Sequence, residues 1–398
     1  MAGMGRRLSS FGFLSSLGHG VNDLYFFALP MVLPLLLKEY ALSYRLAGLV
    51  LASYLGIVAI FSYLFGRGSD RFSPWILIGG GFLLASMGFL GAGLSPARAG
   101  VLSSLAAAAV GAATFHPVIY SLIARLEPVR PGRAFGSFEL YGGLAILAMY
   151  LAGGLLLSWM GWRGVLAAVG VPGLAMGLLF LRPAPAAAPA GGKVQAPAGA
   201  GAGPERGLRG AGAGLVFFLV ASGLRFLTTT AVTNFLPTYL AMDRQLPPSL
   251  AAYVSGLVFA GGAAVVWWGA VADRGPPLTV LLLASGALAP LVFVFSLRLP
   301  FWAILPVLFL FGAFNGGCGP AQNLVLSALG SRAGSGAVFG LLLAVISLIG
   351  ALSPALFGLL ADHLGLETTM RLFALPALAG WLLLLVFQRT SWGLPLRR

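Results

Sequence analysis

Twelve apolar runs follow one another along the chain, at about 10–38, 44–66, 74–95, 98–125, 133–158, 162–181, 211–241, 247–272, 276–297, 300–329, 333–361 and 368–388. Each reaches the roughly 20 residues that a helix needs to cross a bilayer core. Inside hydrocarbon every backbone N–H and C=O must be paired internally, so runs of this length predict helices. With 59% hydrophobic and 9% charged residues, the composition lies far from that of a soluble domain. The expected fold class is an all-α polytopic membrane protein with twelve transmembrane helices.

The 398 residues carry a formal net charge of +14, but the basic residues form no single patch for nucleic acid. They sit singly or in pairs at the ends of the runs. Placing the N-terminus in the cytoplasm puts sixteen Lys and Arg inside, among them Arg6, Arg7, Arg67, Arg71 and Arg274, against seven outside. That distribution predicts cytoplasmic termini. The run after Arg6-Arg7 is about twice the length of a signal-peptide core and lacks a cleavage site, so a cleavable leader is not expected. The single cysteine, Cys318, excludes an intramolecular disulfide.

A short motif occurs twice, as Gly66-Arg67-Gly68-Ser69-Asp70-Arg71 and as Gly269-Ala270-Val271-Ala272-Asp273-Arg274. Each copy closes the second apolar run of its half. Between the halves, residues 183–209 are rich in Ala, Gly and Pro and read as a disordered cytoplasmic linker. The expected domains are a six-helix bundle at 1–182, the linker at 183–209 and a second six-helix bundle at 210–398. Six helices per half start both halves on the same side, as parallel repeats do.

The paired Gly-x-x-x-Asp-Arg motifs, the six-plus-six plan and the linker resemble the major facilitator superfamily over nearly the whole chain. Three segments are similar, more narrowly, to its fosmidomycin-resistance-type drug/proton antiporters: His19-Gly20-Val21-Asn22-Asp23, Phe115-His116-Pro117 and Leu359-Leu360-Ala361-Asp362-His363. Phe72-Ser73-Pro74 stands where superfamily members carry a Gly and a basic pair, and Glu139 where the subgroup carries a Gln. The resemblance implies the major facilitator fold, an inner-membrane location and action as a monomer. It also implies that Gly66, Asp70, Arg71, Gly269, Asp273 and Arg274 are gating latches that tie the halves together on the cytoplasmic side.

Ionisable residues inside the runs are functional candidates by default, because a charge there costs several kcal/mol. They are His19, Asp23, His116, Glu139 and Arg225. At about 1.5 Å per residue, they lie roughly 15, 20, 13, 9 and 21 Å from the cytoplasmic ends of their helices. His19, Asn22 and Asp23 share one face of the first helix, which Phe26, Phe27 and Pro30 continue outward. A polar patch followed by aromatic rings suits an amphiphilic solute. Asp23 is the leading proton-carrier candidate, the alternative being an Asp satisfied by helix–helix hydrogen bonds. Glu139 is either a partner in coupling or a favourable charge at a helix N-terminus. His116 is either a partner in coupling or a packing histidine, and Pro117 after it frees the carbonyl of Ala113.

Arg225 is the one charge deep in the second half and needs a partner, either Asp23, Glu139 or an anionic substrate. Asn315, Gly319 and Gln322 form a second polar stripe, for substrate contact or interhelical bonding. Asp362-His363 reads as a helix-end feature with no third ligand for a metal, and no metal or cofactor is expected.

No Gly-x-x-x-x-Gly-Lys-Ser/Thr loop exists, and Lys38 and Lys193 are the only lysines. ATP is therefore not the expected energy source, and no motif of a hydrolase, dehydrogenase or metalloprotease is present. The chain is expected to be a secondary transporter and not an enzyme. Its partners would be a small-molecule substrate, protons and the lipid bilayer. Two functions fit: proton-coupled efflux of an amphiphilic small molecule, with drug resistance as its outcome, or proton-coupled import of an organic anion.

Overall fold

A computed structural model describes residues 2–69, 71–126, 131–182, 204–330 and 335–390. Among them every regular element is a helix. In chain order these are α1 (Ala2–Glu39), α2 (Tyr44–Gly68), α3 (Pro74–Leu94), α4 (Arg98–Ala112), α5 (Phe115–Leu126), α6 (Pro131–Leu181), α7 (Pro204–Thr238), α8 (Pro248–Gly262), α9 (Val265–Arg274), α10 (Pro277–Gly286), α11 (Leu288–Ser296), α12 (Phe301–Gly330), α13 (Ser335–Leu364), α14 (Leu366–Leu372) and α15 (Ala374–Arg389). A five-residue π turn, Tyr239–Asp243, extends α7 beyond Pro237. Large apolar side chains such as Ile60, Met87, Leu178 and Leu283 are exposed, as lipid-facing residues are.

Eleven helical segments are long and apolar enough to span a membrane, and one of them, Phe138–Leu181, is twice the usual length. It contains a break at Gly161 (φ 65°, ψ −173°), a backbone region open essentially to glycine alone. The two predicted runs at 133–158 and 162–181 meet at that residue, and the chain has twelve spans. The fourth span also breaks, between α4 and α5. There the carbonyl of Ala113, freed by Pro117, accepts from the Ser62 hydroxyl at 3.1 Å.

The backbone repeats with the sequence. Among the described residues four have positive φ: Ala41, Gln245, Gly161 and Gly365. Ala41 and Gln245 lie 204 positions apart (245 less 41), and so do Gly161 and Gly365 (365 less 161). The motif copies are separated by 203 positions (269 less 66). The chain is thus built on one six-helix plan used twice, and the turn geometry follows that plan.

Two compact units are present. Unit 1 comprises Met1–Leu42, Ser53–Val194 and Leu240–Gly256, and unit 2 comprises Ser43–Ala52, Gln195–Tyr239 and Leu257–Arg398. In unit 1, α1 and α3 pack on α6, and α4 packs on α3. In unit 2, α7 packs on α13 and α15, while α12 packs on α9, α10 and α11. Helix α7 begins at Pro204, inside the segment expected to be linker. A proline suits that place because the first turn leaves its amides unbonded in any case. The remainder of the expected linker, 183–203, lies outside the described residues.

Candidate functional site

Unit 1 brings His19, Asp23 and His116 together where α1, α5 and α6 meet. The i, i+3, i+4 spacing on α1 turns His19, Asn22 and Asp23 to one side, toward His116 on α5 and Phe138 on α6. His19 Nδ1 lies 2.7 Å from the carbonyl oxygen of Phe138. A carbonyl only accepts, so Nδ1 carries the hydrogen and donates. The ring is held flat against Phe138, with centroids 3.9 Å apart and planes 5° from parallel.

The other nitrogen of His19, Nε2, faces Asp23 Oδ2 at 3.4 Å. With Nδ1–H committed to Phe138, a neutral His19 offers Asp23 only a lone pair. A proton on either group, as imidazolium–carboxylate or as imidazole–carboxylic acid, would turn this contact into an attractive one. The side chains are 4% and 15% exposed, which would keep such a proton largely out of bulk water.

His116 Nε2 stands 3.7 Å from the second oxygen of Asp23. Asn22 Nδ2 donates to His116 Nδ1 at 3.3 Å. The hydrogen of a neutral His116 therefore sits on Nε2, turned toward Asp23. The three ligand atoms of His19, Asp23 and His116 lie within 4.8 Å of one another, a spacing that could hold a metal ion. As oriented, however, a neutral His116 presents a hydrogen and not a lone pair to that space.

Aromatic rings close the site. Phe26 meets His116 edge-on at 5.9 Å, and Tyr54 beyond it at 6.4 Å. Phe27, one position on, is half-buried. Glu139 is exposed and reaches the cluster indirectly: it accepts from the Tyr120 hydroxyl at 2.9 Å, and the Tyr120 ring packs on His116 at 5.8 Å.

Gly142 is a candidate position that residue type alone does not single out. A Cβ there would come within 2.6 Å of both Asp23 Oδ2 and His19 Cε1. It sits one turn beyond Phe138 on the same face of α6, and that i, i+4 relation is the signal that could have found it. An apolar cavity of about 510 Å³ lies elsewhere in unit 1, between α1 and α6, lined by Leu17, Leu24, Leu144, Ala148 and Val169. None of His19, Asp23 and His116 lines it.

In unit 2, Arg225 on α7 is 4% exposed. Its Nη2 donates to Gln322 Oε1 of α12 at 2.7 Å, and its guanidinium lies 4.3 Å from the Phe226 ring centroid. Among the described residues of unit 2 no carboxylate pairs with it. The expected stripe on α12 is divided: Gln322 is buried against Arg225, Asn315 is half-buried without a hydrogen bond among the described residues, and Gly319 is exposed.

The duplicated motif is described in part. Asp70 lies outside the described residues. Gly66 accepts from the Ser69 hydroxyl at 2.7 Å, and Arg71 is exposed. Asp273 and Arg274 are exposed at the end of α9 and form no ion pair among the described residues.

A chain of apolar spans with a part-buried cluster of ionisable groups among its helices has the makings of a polytopic transport protein. Residues 15–354 match the family model of the Major Facilitator Superfamily, and the chain belongs to that family. Over 151 residues it is 34% identical to the uncharacterized MFS-type transporter Rv1250 of Mycobacterium tuberculosis (strain ATCC 25618 / H37Rv), covering 37% of this chain and 25% of that one. The chain thus spans about a quarter of that relative's length.

Two solved structures illustrate the shared fold. A bacterial homologue of the human lysosomal transporter Spinster, inward-facing and unoccupied, superposes with a TM-score of 0.80 at 18% identity, over 98% of each chain. A D-xylose–proton symporter superposes with a TM-score of 0.75 at 16% identity, over 95% of this chain and 97% of that one. Identities this low establish the fold alone.

Proposed function

We propose that the chain is a proton-coupled exporter of an amphiphilic small molecule, working by alternating access in the inner membrane with both termini in the cytoplasm. The observation that carries this reading is the contact of His19 Nε2 with Asp23, made while Phe138 takes His19 Nδ1–H, a pair placed to share a proton. Binding of substrate beside Asn22, Phe26 and Phe27 would disturb that pair and release the proton inward. His116 and, through Tyr120, Glu139 would relay it. The resemblance to fosmidomycin-resistance-type antiporters supports export.

The test is proton flux in everted membrane vesicles acidified inside, with a lipophilic fluorescent dye added outside. Dye uptake accompanied by proton exit is the expected result. Uptake that leaves the proton gradient untouched contradicts it.

Arg225 favours a second reading, import of an organic anion with protons. A buried guanidinium held, among the described residues, by a neutral amide and a ring leaves donors for an organic anion. Binding of an anionic substrate that survives Arg225→Ala unchanged would exclude it.

A further inference from the structure

Helix α2 is anchored at its first residue by a group far away in sequence. Ser43 caps the helix in the ordinary way, its hydroxyl accepting from the Leu46 amide at 3.2 Å. The amide of Tyr44 itself donates to Asp362 Oδ1, near the end of α13, at 2.7 Å. Below that bond the helices meet backbone to backbone. A Cβ on Gly48 would come within 2.3 Å of the Pro354 carbonyl oxygen, and one on Gly358 within 2.2 Å of the Tyr44 carbonyl oxygen. These contacts lie within unit 2, which takes in Ser43–Ala52 although α2 from Ser53 onward belongs to unit 1.

The repeat supplies an internal comparison. At a spacing of 204 positions, Gly358 corresponds to Gly154, Asp362 to Ser158 and Tyr44 to Pro248. The corresponding seam exists in unit 1: a Cβ on Gly154 would come within 2.9 Å of the Ser249 carbonyl oxygen and 2.8 Å of the Tyr253 ring. There Ser158 stands at the place of Asp362, and no carboxylate is needed. Pro248 has no N–H to satisfy, and Ser158 turns its hydroxyl back to the Leu155 carbonyl at 2.7 Å. Donor and acceptor are both present in one seam and both missing from the other. Asp362 is also exposed, so water can take its place at the α2 N-terminus when the bond breaks. A negative charge there is favoured by the helix dipole.

We propose that Asp362 is a latch that fastens the start of α2 to α13, at the opposite end of α2 from the Gly66–Arg71 motif, and that the transport cycle requires its release. This rests on the chain being an alternating-access transporter, and on neither the substrate nor the coupling ion.

The test uses the full chain with Cys318→Ser, which removes the single cysteine. Ala47→Cys then places one thiol on the buried side of the first turns of α2, where Ala47 is 0% exposed. Ala109→Cys, equally buried in unit 1, reports general loosening. The rate of labelling by a bulky water-soluble maleimide is measured with and without Asp362→Ala. From the usual worth of a helix cap, labelling at Ala47→Cys is expected to rise about five- to thirtyfold, with Ala109→Cys unchanged. Asp362→Asn, which keeps an acceptor but no charge, is expected to fall between. An unchanged rate at Ala47→Cys overturns the proposal, and so does a parallel rise at both positions, which would make Asp362 a support of the whole fold. Maleimide-labelled Ala47→Cys protein, unable to reclose the seam, is expected to lose transport; transport at the unlabelled rate overturns the latch. Labelling requires no substrate, so a chain that transports nothing would be recognised separately.

Discussion

The Nδ1–H of His19 is spent on the main-chain carbonyl of Phe138, 119 positions away, and this bond gives the neighbouring Asp23 its chemistry. It fixes the histidine's tautomer and leaves a bare Nε2 facing the carboxylate at 3.4 Å. An Asp beside a freely rotating histidine could take its hydrogen bond without a further proton. Here a neutral His19 offers it only a lone pair.

Asp23→Asn and His19→Gln should therefore uncouple transport from the proton gradient. In gradient-driven uptake by vesicles, each is expected to lower the rate at least about tenfold, the low end of what a positioned proton-transfer group contributes. Thermal unfolding in detergent should change little, because Asn and Gln keep the hydrogen-bonding capacity of the pair. A wild-type rate in either variant would show that the pair does not carry the coupling proton.

Gly142 and its neighbour Gly143 make a matched experiment. Gly142→Ala would put a methyl group 2.6 Å from Asp23 Oδ2, whereas a Cβ on Gly143 meets nothing within 4 Å. We expect Gly142→Ala to lose coupled transport by an order of magnitude or more, since small misplacements at a reacting pair are costly. Gly143→Ala should behave as wild type. Equal activity of the two variants would mean that α6 does not press on the pair.

Arg225 separates a role in stability from one in binding. A buried cation supported, among the described residues, by Gln322 and the face of Phe226 is expensive to keep. Arg225→Met should leave the unfolding temperature unchanged or raise it, by about 1 kcal/mol of stability or more. If anions are bound there, the same variant abolishes their binding, and Arg225→Lys retains part of it. A marked fall in unfolding temperature for Arg225→Met would assign the residue to the fold instead.

The paired turns predict paired costs. Gly161→Ala and Gly365→Ala each force a side chain into a glycine-only region and should each cost about 1–3 kcal/mol in thermal or denaturant unfolding. Ala41→Gly and Gln245→Gly, which relieve a left-handed residue, should be neutral or mildly stabilising. Opposite behaviour within a pair would argue against a common turn plan in the two halves.

The spans were legible in the sequence because hydrocarbon leaves a long apolar run little choice but helix. The i, i+3, i+4 set His19, Asn22 and Asp23 was legible for the same geometric reason, and Pro117 announced the break before α5. The partner of His19 was not legible, since a main-chain carbonyl is the same whichever residue occupies position 138. Arg225 is expected to find an acid or an anionic substrate, and within its unit it meets Gln322: the amide oxygen accepts a guanidinium hydrogen, more weakly than a carboxylate and without cancelling the charge. Asp362 was read as a mere helix end, because its partner, the Tyr44 amide, lies 318 positions away and carries no residue-type signal.

The decisive comparison is driven transport against passive exchange in proteoliposomes containing Asp23→Asn. With the shared proton as the coupling element, this variant should exchange labelled for unlabelled substrate at a rate near wild type, yet build no gradient when an inward or outward proton gradient is imposed. Accumulation against a gradient by Asp23→Asn, at the wild-type level and with the same proton dependence, would contradict it.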